Sequence, residues 1–184
     1  MSVGDARAIW RFRVARAAWA TWARRTIGAM APDGATTWIL TASPENHAAT
    51  AARGFTVIGC KERRRNQAML MEPGDRIVLY LTRVMRFAAS VRITGELYED
   101  RTRIWPGKPG KADAYPWRFA TEPELVLAEP DWVPAESLKD DLAHIRKWPA
   151  EHWKLAFQGQ LRTVSDADAA LLVERMQAAA GICA

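Results

Sequence analysis

Between positions 37 and 127 the chain alternates short apolar runs with polar turns. Thr37–Thr41 is β-branched and aromatic, and reads as a first strand. Ser43-Pro44-Glu45-Asn46 follows as a helix start, with Ser43 as cap, Pro44 in the first turn and Glu45 at the positive end of the helix dipole. This helix, Pro44–Arg53, is expected to stop at Gly54. Phe55–Cys60 is a second strand, after which Lys61-Glu62-Arg63-Arg64-Arg65 opens a short helix ending near Met71. Glu72-Pro73-Gly74-Asp75 is a tight turn into Ile77–Leu81, and Phe87–Thr94 makes a fourth strand. Trp117–Leu127 alternates as a fifth strand, in which Pro123 demands an edge position or a bulge. Beyond Asp131 the pattern turns helical, with helices expected at Ser137–Ile145, Ala150–Ala156 and Ala167–Ala180. Ser165 and Asp168 resemble a capping box before the last of these.

Five segments carry a resemblance when taken in order: WILTASPENH, RGFTVIGCKERRR, MEPGDRIVLYLT, FAASVRITGELYED and LAHIRKWPAEHWKLAFQGQLRTVSDAD. The ordered set resembles the EVE domain, a module of the PUA-like superfamily related to YTH domains. It covers roughly residues 37–176. The resemblance implies an α/β (α+β) fold around a curved mixed sheet or partial β-barrel of about five to six strands with flanking helices. It also implies a pocket for a flipped-out, often modified, base, and no established catalytic activity. On that reading the chain divides into an extension, residues 1–35, and an EVE domain, residues 36–184.

Charge changes the picture less than its total suggests. The formal net charge is +5. Residues 1–29 hold six arginines (7, 11, 13, 16, 24, 25) and one acid, Asp5, so the extension alone is +5 and the remainder is neutral. A nucleic-acid interface must therefore rest on local patches. The extension has two readings. Ile9, Phe12, Ala15, Trp19 and Trp22 fall roughly on one helical face, as in a basic amphipathic helix or a transit peptide. The expectation adopted is that translation starts at Met30 and that the preceding residues are upstream sequence. The two cysteines, Cys60 and Cys183, and the three histidines have no metal-ligand spacing, so neither a metal nor a cofactor is expected. Cysteine usage fits a reducing, cytoplasmic setting.

The candidate site gathers at the ends of the first three strands. Ser43, Asn46 and His47 sit where a helix N-terminus presents free N–H groups, although Ser43 and Asn46 read equally well as plain capping residues. Gly59 leaves room for close approach, and Cys60 and Lys61 follow it. Tyr80 and Thr82 share one side of the third strand, with Tyr80 as pocket wall or as ordinary core. Arg63, Arg64 and Arg65 are candidate phosphate contacts, which position a nucleic acid without reading it; the bland reading is a solvated helix start. The resemblance places Arg146, Trp148 and Arg162 beside the pocket. The long segment Tyr98–Arg118 interleaves Trp105 and Tyr115 with Lys108 and Lys111, a pattern on which single-stranded nucleic acid stacks; Trp105 is expected to tuck under this loop as a hydrophobic pin.

The chain contains no glycine-rich phosphate loop, nucleophile elbow or nucleotide-cofactor fingerprint. The expected function is a non-catalytic module that binds DNA or RNA and reads a modified base. Two alternatives stand beside it: an enzyme acting on a nucleobase or nucleotide, and an interaction protein tethered by its basic N-terminal helix.

Overall fold

A computed structural model of the chain describes residues 34–107 and 110–182. The basic extension, up to residue 33, lies outside the described residues, as do Lys108 and Cys183. Eight strands form one curled mixed sheet: β1 (Thr37–Ala42), β2 (Val57–Cys60), β3 (Arg76–Leu81), β4 (Arg86–Ile93), β5 (Tyr98–Glu99), β6 (Trp117–Val126), β7 (Val133–Pro134) and β8 (Leu161–Val164). Six of them run in the order β2-β6-β4-β3-β1-β8; the two-residue strands β5 and β7 attach to β6 and β4. The helices are α1 (Pro44–Ala51), α2 (Arg65–Ala68), α3 (Ala143–Arg146) and α4 (Asp166–Ala179), with short 3-10 turns between. The expected partial barrel with flanking helices is thus present.

Strand alternation splits the core into two. On one face Ile39, Val78, Tyr80, Phe87 and Leu125 pack against Leu142, Ile145, Phe157, Leu172 and Met176. On the other, inside the curl, lie Trp38, Leu40, Ile58, Cys60, Leu79, Val91 and Phe119. Adjacent residues of β1 and β3 therefore belong to different cores.

Several local features follow from sequence signals. Pro123 sits at a register shift between Ser90 and Val91, so the bulge foreseen for it is real and β6 is an inner strand. The shift leaves Glu124 without a strand partner. Its carboxylate takes Arg76 Nε at 2.5 Å and Nη2 at 2.6 Å, and Arg92 Nη2 at 2.5 Å. Burial alone would raise the Glu124 carboxyl; the two guanidiniums outweigh it and hold the group below the usual carboxylate range. Phe55 has φ 58°, so the second strand begins at Val57 rather than at Phe55. Ser165 Oγ accepts from Asp168 N–H at 3.3 Å, as a capping box requires. The Asp168 carboxylate, however, accepts from the N–H groups of Ala143 and His144 at 2.8 and 2.7 Å. It caps α3 instead of its own helix. Ser137–Ile145 is accordingly no single helix but a 3-10 turn, Ala135–Leu138, followed by α3.

The long loop before β6 is held by two buried charges. Asp113 accepts from the N–H groups of Ile104, Trp105 and Tyr115 at 2.7, 3.1 and 2.8 Å. Arg118 has no exposed surface and binds Asp100, the Thr102 carbonyl and, at 3.3 Å, the Tyr115 carbonyl; Asp113 lies 3.6 Å away. The loop's described residues are irregular in backbone but tied down by these contacts.

Two measurements check this description. Asp113→Ala strands three N–H groups and one side of a buried charge pair, and should cost about 3–5 kcal/mol in urea unfolding, with Asp113→Asn costing less. Burial lowers the pKa of both His47 and His144 from 6.5, assisted at His144 by Lys147 and Arg162 against the Ala156 carbonyl and Asp168. A lowered histidine contributes stability above its unfolded pKa and loses it as pH falls through its folded pKa. The melting temperature should therefore drop progressively below about pH 6.5; a flat profile down to about pH 5 would contradict the neutral, buried placement of both rings.

Candidate functional site

The two edges of the curl do not pair with each other. β1 pairs with β8 only as far as Leu40, and β2 pairs only with β6. Where β8 peels away from β1, Gln160 spans the gap. Its backbone carbonyl accepts from Thr41 N–H at 2.8 Å. Its side-chain amide accepts from Lys61 N–H at 2.8 Å and donates to the Gly59 carbonyl at 3.3 Å. One buried side chain thus satisfies the free edge of β2, the role a neighbouring strand would otherwise fill.

Beside this bridge the seam opens into a narrow hollow with a volume of about 20 Å3. Thr41 and Ala42 of β1, Asn46, His47 and Thr50 of α1, Gly59 of β2, Leu79 of β3, and Gln160 line it, together with Trp105 and Tyr115 from the stapled loop. Trp105 is 5% exposed and donates its indole N–H to Thr50 Oγ at 2.9 Å. Its ring presses on Gly59: a side chain there would run into the Trp105 ring and come within 2.9 Å of Tyr115 Cβ. Arg118 lies 5.3 Å over the same indole. Tyr115 meets Trp105 edge to face, with ring centroids 5.4 Å apart, and its hydroxyl accepts from Asn46 Nδ2 at 2.7 Å. Lys61 Nζ stands 5.7 Å from the Tyr115 ring. The expected pin, Trp105, is therefore also a wall.

The residues proposed from sequence separate into several groups. Asn46, His47 and Gly59 line the hollow, and Lys61 stands at its lip. His47 is 8% exposed, packs between Phe55 and Trp132, and leaves Nε2 without a hydrogen-bond partner among the described residues. Ser43 is occupied as the α1 cap, its Oγ accepting from Asn46 N–H at 3.2 Å. Cys60 is fully buried in the inner core, where burial pushes its thiol up to about 12, so it stays protonated and unreactive. Tyr80 is displaced from the hollow by strand parity. It lies in the outer core, stacked on Phe157 at 4.1 Å, and Leu79 takes the place expected for it. Thr82 is past the end of β3, donating to the Ala42 carbonyl at 3.2 Å. Arg146 and Trp148 are exposed on and after α3, outside the lining.

The basic run is divided as well. Arg63 is exposed, Arg65 lies over the Trp117 ring at 4.7 Å, and Arg64 turns toward Gly159, which Arg162 also approaches. Sequence reasoning passed over Thr41, Thr50 and Gln160. Only Gln160 had a signal, its place two residues before Arg162, which the resemblance sets beside the pocket.

Among the described residues no group of three or more histidine, cysteine or acidic side chains could hold a metal, and no helix is long and apolar enough to cross a membrane. The hollow offers aromatic walls and neutral hydrogen-bonding groups, suited to a small planar polar ligand.

Comparison with solved structures finds the same fold. The Pho92 YTH domain, solved in complex with m6A, superposes with a TM-score of 0.59 at 13% identity, covering 81% of this chain and 87% of that one. The YTH domain of Zygosaccharomyces rouxii MRB1, solved with N6-methyladenosine RNA, gives 0.56 at 16% identity over 79% and 89%. A hypothetical protein from Leishmania major gives 0.54 at 15% identity over 81% and 98%. No curated protein matches the chain by sequence. The family model described as the EVE domain matches residues 36–175. With that match over most of its length, the chain belongs to the EVE domain family.

Proposed function

We propose that this EVE domain is a non-catalytic reader: it binds DNA or RNA and takes one modified base into the hollow at the open seam. The observation that carries the reading is the seam itself. A sheet that curls but does not close leaves a gap walled by Trp105 and Tyr115, floored by Gly59 and Leu79, and edged by Asn46, Thr50 and Gln160. Aromatic faces stack a base, and amide and hydroxyl groups read its edge. The same fold in Pho92 and in MRB1 was solved holding methylated adenosine, which supports a base as the occupant.

Binding has two parts. Lys61 and Arg64 hold phosphates at the lip, Arg63 and Arg65 of the same run are outlying contacts, and the hollow discriminates. The hollow is narrow, so a base enters by displacing Tyr115, which is half-buried and tied at its hydroxyl to Asn46. Flipping a base costs a few kcal/mol, about what one good stacking partner returns, at ~1–3 kcal/mol per base. Phosphate contacts must supply the rest. Cys60 and Tyr80 are both sealed in cores, and His47 Nε2 has no hydrogen-bond partner among the described residues to act with as an acid–base pair. These placements favour the reader over the enzyme.

The test is a binding screen of modified nucleosides and short single strands at about 50 and about 200 mM salt. One modified nucleotide should bind well above its unmodified parent. Tyr115→Ala should weaken that binding by ~1–3 kcal/mol while leaving the salt dependence unchanged. Equal affinity for all bases, or turnover of any of them, would overturn the reading.

A further inference from the structure

Gly159 marks a point where two cations converge. A β-carbon built on it would lie 2.9 Å from Arg64 Nη2 and 3.5 Å from Arg162 Nη2, so both nitrogens sit within 3.5 Å of one position. The two side chains come from opposite sides of the seam. Arg64 ends the 3-10 turn after β2, and Arg162 lies on β8. Like charges brought this close repel, and their usual relief is a carboxylate between them. None is there: among the described residues neither guanidinium has a carboxylate within ion-pair distance. Arg64 Nη1 donates to Gln67 Oε1 at 2.8 Å, and Arg162 Nη2 to the Gln158 carbonyl at 2.8 Å, both neutral acceptors. Arg64 also carries a buried Nε without a partner among the described residues. An unmet donor and an unrelieved repulsion at one spot are costs that folding alone gives no reason to keep.

The spot adjoins the hollow. The Gly159 carbonyl accepts from Thr41 Oγ at 2.7 Å, and Thr41 and Gln160 both line the cavity. The other two arginines of the run are placed differently: Arg65 covers Trp117, and Arg63 projects into solvent.

We propose that Arg64 and Arg162 form a two-pronged clamp for one phosphate group over Gly159, and that this phosphate belongs to the nucleotide whose base enters the hollow. The second half of the statement rests on the reader function; the clamp itself does not. Two guanidiniums presented from different elements match the spread oxygens of a phosphate. Gly159, with φ +90°, lacks the side chain that would crowd both guanidiniums. Because one prong stands on each side of the seam, a bound phosphate also ties β8 to the turn after β2.

The full chain is titrated with inorganic phosphate while the Nε–H resonances of Arg64 and Arg162 are followed by NMR. Both should shift together and saturate. Arg64→Gln should remove the response at Arg162, and Arg162→Gln the response at Arg64. Arg175→Gln, on the far helix and paired with Asp141, should change neither. Circular dichroism verifies that each variant folds. In the second arm, the slope of log affinity for a single strand against log salt should fall by about 0.7 in Arg64→Gln/Arg162→Gln, the loss of one phosphate contact. Independent responses of the two arginines, or none, would overturn the clamp; an unchanged slope would overturn its assignment to the phosphate of the bound strand. Phosphate binding in a protein that binds no single strand would uphold the clamp and dismiss the reader, so the two failures are separable.

Discussion

The structure turns on how an incomplete barrel treats its loose edges. A curled sheet that stops short of closure exposes the N–H and C=O groups of its last strand, which invite another chain. Here the edge of β2 is met not by a strand but by the side-chain amide of Gln160, which pairs with Lys61 N–H and the Gly59 carbonyl. The backbone of Gln160 at the same time holds Thr41 of β1. One residue therefore fixes the width of the seam. A full strand would have closed the gap; a single amide ties the edges and leaves room beside the tie. The hollow is a consequence of how the edge problem was solved, and no insertion into the core is needed to make it.

What fills that room is set from the other direction, by the stretch between β5 and β6. Its position depends on Asp113, which gathers three N–H groups, and on Arg118, which is wholly buried. A buried ionic pair is weak evidence of stability. Its effect here is to specify one place for Trp105 and Tyr115. An apolar tuck of the loop would tolerate several arrangements, whereas three N–H groups converging on one carboxylate tolerate few. The Trp105 indole then rests on Gly59, the position of β2 where a side chain would collide with it. Loop, strand and helix α1 are locked through Thr50 and Asn46, each bonded to one of the two aromatics.

Much of this was legible in the chain. The strand runs, the Ser43 cap and the bulge demanded by Pro123 follow from local rules that depend on near neighbours. So did the family, because an ordered set of short segments carries more information than any one of them. Errors arose where the answer depended on long-range geometry. Tyr80 and Leu79 are one residue apart, and period two puts them on opposite faces; which face is the inner one is decided by the direction of curl, which no local pattern states. β8 carries no strand assignment from sequence because its four residues are polar at two positions and its partner, β1, lies more than a hundred positions earlier. Asp168 sits where a capping box would use it, yet serves the N-terminus of α3, twenty-five residues away. Gln160 carries no signal of its own, since a lone glutamine becomes structural only when two distant edges meet at it.

In the function proposed above, charge separates the two tasks that a reader must perform. Outside its first 29 residues the chain is formally neutral, so net charge gives that part no general attraction for nucleic acid. Cations occur instead as a few side chains at the lip of the seam, Lys61, Arg64 and Arg162, while the groups inside it are neutral amides, hydroxyls and aromatic rings. Electrostatic attraction at the lip is indifferent to which base arrives; the neutral interior is indifferent to the backbone. In such an arrangement non-specific affinity stays low, and an unmodified strand gains only the few phosphate contacts the lip supplies. A base that fits adds its stacking and edge contacts to that small sum, so discrimination forms a large share of the total binding energy. A domain with a strongly positive face would bind every strand tightly and have less to gain from reading any one of them.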